Sequence, residues 1–367
     1  MKSLPGNPFR PYSIKPDTMD GLYSEAEKGL ANRNHGLLLE TLECDVTPTG
    51  AHYLLNHFDV PIIDETTHRL TLSGAFDNRE ELTLEDIRQR PSVTMPVTLE
   101  CAGNGRAGVS PRSHSMPWGY EAVGTSLWTG TPLAPLIEEA APTDDTVEIA
   151  FIGADYGYDM GSGHFFGRSL TLEALRDLDV MLVYEMNGAP LLPQHGAPLR
   201  IIVPGWYGMA SVKWLSQIIA LTEPYDGYQQ VGTYRFKKSP DDVGTPIQDI
   251  RVKSLMKPPG VPDWSSRKRL VQAGPTPIVG RAWSGLGRQI TKVEVDTGAG
   301  WMQAELSPGA SKYAWSKWTF TWDATPGAYT LRCRATDEDG NQQPLTPPWD
   351  EAGFANNAAQ KVHVFVV

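Results

Sequence analysis

Thr98-Leu99-Glu100-Cys101-Ala102-Gly103-Asn104-Gly105-Arg106 gathers more chemistry than any other stretch of this chain. A cysteine closes an apolar-leaning strand, a glycine-rich turn follows, and an arginine comes next. Held there, a thiolate can meet a metal or an electrophile. Glycines let the backbone approach a bulky ligand closely, and the arginine adds a permanent cation for an anionic cofactor or substrate. Taken alone, the segment reads equally as a buried cysteine beside a structural turn. Thr41-Leu42-Glu43-Cys44 repeats the lead-in but runs on into Asp45-Val46-Thr47-Pro48, so Cys44 reads as a small apolar residue of a strand or loop. Cys333, within the alternating Tyr329-Thr330-Leu331-Arg332-Cys333-Arg334-Ala335, reads as a buried strand residue.

The elements that must position such a loop are strands with short helices. Glycine (35) and proline (30) are frequent among the 367 residues, and long helical periodicity is scarce. Thr83 before Leu84-Glu85-Asp86-Ile87-Arg88 has the form of a helix start, ended soon after by Pro91, and Thr171-Leu172-Glu173-Ala174-Leu175 repeats it. Val180–Glu185 and Leu199–Val203 are short β-rich runs. Composition shifts near Pro240. Beyond it, Ile290, Val293 and Val295, the alternating Trp318-Thr319-Phe320-Thr321-Trp322, a tight turn at Asp339-Gly340 and the closing Val362–Val367 predict an immunoglobulin-like sandwich. The predicted fold is therefore α+β: a mixed α+β domain over 1–245, then a β-sandwich over 246–367. A net charge of −11 argues against a nucleic-acid surface. Three cysteines, none in a C-x-x-C arrangement, exclude a c-type haem and the common zinc modules. With no long apolar run, no membrane span is expected. Met1–Pro8 shows no signal core, so the expected compartment is the cytoplasm, or the periplasm if an export signal has been removed.

Five segments, in order, resemble the sulfite oxidase family of molybdenum-pterin oxidoreductases: Tyr53–Pro61; the Cys101 loop; Phe151–Asp155; Tyr184–Gly188 running through His195–Gly205 to Val212–Leu215; and Gly280–Gly285 with Val293–Val295 and Asn356-Asn357. The resemblance implies that Cys101 binds molybdenum and that a pterin dithiolene carrying a phosphate supplies further sulfur ligands. It places Tyr53, Asn56, His57, Asp155, His195, Arg200, Ser211, Val212 and Lys213 around that pterin. Arg200 and Lys213 suit the phosphate, Asp155 suits a ring amino group, and backbone amides at Ser211-Val212-Lys213 would supplement them. Tyr234 and Arg106 fall at the substrate pocket. The sandwich would form a homodimer, and the family's haem module is not expected here. Electrons would pass to an external acceptor, a cytochrome or dioxygen.

Two departures bear on the substrate. Leu55 stands where typical members carry an arginine, and Ser316 in Tyr313-Ala314-Trp315-Ser316-Lys317-Trp318 matches a second pocket arginine. Only Arg106 would then remain of three, with Lys317 as a possible replacement for one charge. Each lost charge-assisted hydrogen bond is worth about 1.5–3 kcal/mol, so sulfite binding would fall by roughly two to four decades. The expected activity is oxo transfer on sulfite or a related sulfur compound. The alternatives are a sulfoxide or organic sulfur substrate, or metal-free hydrolysis with Cys101 as nucleophile beside His57 or His195. Trp283, Trp315 and Trp318 are assigned to the sandwich core or a subunit interface.

Overall fold

A computed structural model describes residues 23–159 and 161–367; Met1–Pro8, read above for a signal, lies outside them. The amino-terminal half is built on two sheets. One runs in the order Glu80–Thr83, Arg69–Gly74, Leu215–Leu221, Glu148–Asp159 and Ser162–Thr171. The other runs Val93–Glu100, Val123–Pro132, Met181–Met186 and Ala189–Pro190, with Arg200–Ile202 also paired to Met181–Met186. Helices are few and short. Leu84–Arg88 and Leu172–Asp177 begin where predicted, because Thr83 and Thr171 accept hydrogen bonds from the Asp86 and Ala174 amides. Among the described residues no helix is long and apolar enough to cross a membrane.

The carboxy-terminal half is the predicted sandwich. A four-stranded sheet (Lys253–Met256, Gly274–Trp283, Ser316–Ala324, Glu305–Ser307) faces a six-stranded one that contains Gly327–Asp337 and Gln360–Val366. Strand alternation sends Leu331, Cys333 and Ala335 inward against Val293, Val295, Trp318 and Val364. Cys333 is thus the buried strand residue expected, and Cys44 is an exposed residue closing a short 3-10 turn.

The tryptophans divide differently from the expectation. Trp318 is in the sandwich core, whereas Trp283 and Trp315 belong to the apolar core of the amino-terminal half. They weld the seam between halves. Trp315 Nε1 donates to Asp45 O at 2.8 Å, and the buried Arg281 donates to Leu42 O and Glu43 O while pairing with Asp45. The Cys44 turn is therefore a docking element, and the base of the Cys101 strand lies against the second half.

Candidate active site

Strand Val93–Glu100 grows steadily more buried towards its end and delivers Cys101 to the molecular interior. The loop then folds on itself. Asn104 N donates to Cys101 O, Arg106 N donates to Gly103 O, and Gly105 takes a left-handed φ of 92° that favours glycine. Gly103 N donates to Cys101 Sγ at 3.4 Å. Burial pushes the thiol up, while Arg106 and the Gly103 amide oppose that shift. The Arg106 side chain is 4% exposed. Its Nε and Nη1 donate to Ala352 O and Met116 O, each at 2.7 Å, and its guanidinium lies over the Phe354 ring. A Cβ on Gly103 would come within 2.5 Å of both Arg106 Nη atoms, so only glycine leaves room for this packing.

Two cavities meet at Cys101, with Leu55, His57 and Tyr234 on the wall of both. The first is a cleft of about 680 Å³ of empty space, mouth included, bordered by Tyr53, Asp155, His195, Arg200, Ser211 and Lys213. Asp155 reaches it because the pairing of Glu148–Asp159 with Ser162–Thr171 breaks register between Ile152 and Tyr156, a bulge that re-aims the chain. Its Oδ1 is buried without a partner. Burial raises the carboxyl to about 6, against the pull of Lys213. Arg200 donates to His195 O and Ser211 O, yet its Nε is buried without a partner; burial lowers it to about 10. Lys213 Nζ is latched by Leu55 O, Gln194 O and Asn56 Oδ1 and sits 4.3 Å from the Trp214 ring centroid. Burial, then Arg200, brings its pKa well below the usual lysine range. His57 and His195 are both lowered to about 3, chiefly by burial.

The second cavity, about 890 Å³ of empty space, is a funnel of mixed walls: Leu30, Leu55, Phe58, Met116, Trp118 and Phe354 form an apolar part, and Asn56, Ser115, Asp159, Gln229 and Thr233 a polar part. Arg106 is the one arginine lining it. Tyr234 stands at its base in a left-handed conformation, φ 52°, which a bulky residue adopts only under constraint. Its hydroxyl is 2.6 Å from His57 Nε2 and its ring stacks on Phe354. Burial raises the phenol, so tyrosine and imidazole face each other uncharged.

Three expectations need correction. Val212 does not border the cleft, and its amide already donates to Ala210 O, as Ser211 N does to Gly208 O; those amides close a turn. Asn56 lines the funnel rather than the cleft, where its side chain holds Lys213. Ser316 pairs with Ala282 in the sandwich and Lys317 borders a surface groove with Lys257 and Glu43, so neither faces the pocket. The segment that does reach Arg106 is 352–354, close to the Asn356-Asn357 pair singled out in the sequence. The sequence reading also missed Trp118 and His52. Each is buried with an unpartnered ring nitrogen, and each borders one of the two cavities. His57 bonds Tyr234 rather than Cys101, and no imidazole hydrogen-bonds the sulfur among the described residues. With the thiol raised rather than lowered, a cysteine–histidine nucleophile is not built here.

The cleft fits a large anionic group with ring donors. Two buried cations, an orphan carboxylate oxygen and an orphan guanidinium nitrogen converge beside a soft sulfur. Among the described residues no three His, Cys, Asp or Glu side chains form a metal cage, so a metal at Cys101 would take further ligands from a cofactor.

Comparison with known proteins gives the same chemistry. Residues 57–229 match the family model for an oxidoreductase molybdopterin binding domain, and residues 245–367 match that for a Mo-co oxidoreductase dimerisation domain. Mitochondrial sulfite oxidase of Mus musculus is 32% identical over 346 residues, which cover 88% of this chain and 62% of that protein. An NADH nitrate reductase of Ulva prolifera is 30% identical, over 85% of this chain and 39% of its own length. The chain thus spans about three fifths of the length of the sulfite oxidases it matches. Among solved structures, the sulfane dehydrogenase SoxCD from Paracoccus pantotrophus shares the fold, with a TM-score of 0.76 and 24% identity over 98% of this chain and 92% of that one.

Proposed function

Because this chain belongs to the sulfite oxidase family of molybdopterin oxidoreductases, we propose that it transfers an oxygen atom to or from a sulfur compound, using an external electron acceptor or donor. The observation that carries this is the convergence of Cys101, Arg200, Lys213 and Asp155 on one cleft that opens onto the funnel. When bound, a molybdenum-pterin group would supply a centre able to exchange one oxygen atom and two electrons with the substrate. Cys101 would hold the metal. Arg200 and Lys213 would neutralise the phosphate, and Asp155, raised to about 6 and so still mostly ionised at neutral pH, would accept from a ring amino group. Tyr234 and His57 hold a proton between the phenol oxygen and Nε2, uncharged on both sides, and so can orient a substrate oxygen without a fixed charge. Arg106 supplies the single positive charge. We divide the chain into working domains 1–245 and 246–367 and place a homodimer contact in the second, which the dimerisation-domain match supports.

The funnel wall favours an organic sulfur substrate over bare sulfite. Two Arg106 nitrogens already serve backbone carbonyls, the wall adds polar but uncharged groups at Asn56, Ser115, Gln229 and Thr233, and Asp159 sets a carboxylate against any anion. A dianion there would meet one cation already committed to carbonyls and an opposing carboxylate, whereas a sulfoxide or a related compound with one polar oxygen and an apolar body needs no second cation and suits a mixed wall. The test is molybdenum content on protein from a host that makes the pterin, then turnover of sulfite with ferricyanide and of sulfoxides with reduced viologen. We expect about one molybdenum per chain and a higher kcat/KM for the organic compound. Metal-free folded protein from a competent host would overturn the cofactor reading, and faster sulfite turnover would overturn the substrate reading.

Gly103→Ala tests the role of Arg106. The new methyl would displace the guanidinium from its two carbonyls. A misplacement on that scale is expected to cost about 10²-fold in kcat/KM, and the two buried bonds lost lower the melting temperature as well without unfolding the protein at assay temperature. Steady-state kinetics beside a thermal melt checks it; unchanged kcat/KM would mean that Arg106 does not need this seat.

A further inference from the structure

Glu100, immediately before Cys101, is 1% exposed, and both of its carboxylate oxygens are engaged. Lys253 Nζ donates to Oε1 at 2.6 Å, Asn104 Nδ2 donates to the same oxygen at 3.0 Å, and Trp283 Nε1 donates to Oε2 at 2.7 Å. Lys253 is equally buried and also lies 3.4 Å from Asn104 O. Lys253 and Trp283 come from adjacent sandwich strands in register with each other, while Glu100 and Asn104 bracket the sulfur. Asn104 Oδ1 in turn accepts from Ala122 N, the residue whose carbonyl receives Cys101 N. A buried carboxylate is tolerable only with this degree of satisfaction, and a network in which both carboxylate oxygens and both ends of the Asn104 amide are engaged fixes the loop it encloses.

We infer that Glu100, gripped by Lys253 and Trp283 from the other half of the chain, is a positioning residue that sets where the Cys101 sulfur stands. The inference rests on the proposed function for its catalytic consequence but not for its geometry. Glu100 does not border either cavity, so it acts through Cys101 and Asn104 rather than on a substrate.

The test compares wild type with Glu100→Gln/Lys253→Met, which removes both buried charges together, and with Trp283→Phe, which removes one donor and keeps the ion pair. In metal-free protein, iodoacetamide labelling is followed at Cys101 and Cys333 by peptide mass spectrometry. Labelling at Cys101 is expected to rise at least about tenfold in the double variant, as expected when the support of a ligand is removed, with Cys333 unchanged. Trp283→Phe is expected to give a smaller rise of the same kind and carries the test if the double variant does not fold. In loaded enzyme, kcat is expected to fall roughly 10–100-fold with KM nearly constant and the metal's EPR signature altered. Equal acceleration at Cys101 and Cys333 would reveal general loosening and overturn the inference, as would wild-type labelling and spectra. If wild type carries no molybdenum, the proposed function fails while the labelling contrast still decides this inference.

Discussion

Cys101→Ser is expected to abolish turnover and leave the fold standing. The sulfur is the one soft donor where the cleft meets the funnel, and a hydroxyl neither ionises at neutral pH nor matches the softness of a thiolate. The loss should exceed the ~10–100-fold seen when only a support of a metal ligand is removed. Stability should change little. The Cys101 side chain accepts one weak hydrogen bond, from Gly103 N, and serine can accept it. Burying the hydroxyl in the same seat costs about 1–3 kcal/mol at most, well inside the margin of a two-core chain. The checking measurements are kcat, molybdenum content and a thermal melt on the same preparation. Full activity in the serine variant would remove Cys101 from the mechanism. A collapsed melt would show that the loop is structural.

The metal- and cofactor-free protein is expected to lose stability steeply as pH falls from about 7 to 5. His57 and His195 are lowered to about 3 and His52 to about 4, each mainly by burial, from an ordinary 6.5. In the window between those values the unfolded chain binds protons that the native protein refuses, so acid favours unfolding. At pH 5 each histidine contributes about 2 kcal/mol of destabilisation by this linkage. Asp155 acts in the opposite sense: its carboxyl is raised to about 6, so the native state holds a proton that the unfolded chain releases, returning about 1.4 kcal/mol at pH 5. The balance is a net loss of about 4–5 kcal/mol, large against a typical folding free energy. Urea melts at pH 7.5 and pH 5 measure it. A flat profile would mean that these imidazoles take up protons as readily in the native protein as in the unfolded chain.

Both predictions draw on residues that differ in how visible they were beforehand. The helix starts at Thr83 and Thr171 were legible because an N-cap acts within three residues. The sandwich was legible because strand alternation is local, and Leu331, Cys333 and Ala335 follow it. Tyr53, Asp155, His195, Arg200 and Lys213 were legible through ordered resemblance, and the structure gathers all of them at one cleft. Val212 was misplaced because its side chain and the use of its amide depend on a turn that only the folded backbone shows.

What the sequence by itself determined is the set of parts: a thiol on a glycine loop, two cations, a carboxylate, and strands of period two to carry them. What only the tertiary structure decided is which parts meet. Phe354 rather than Ser316 faces Arg106, its ring lying 248 positions along the chain from the guanidinium it covers. Lys253 and Trp283 close on Glu100, and Trp118 packs in one buried cluster with Cys101. Such contacts depend on how two separately patterned halves dock, and docking is governed by side-chain shape and by buried polar groups finding partners. Neither leaves a periodic trace in a linear sequence.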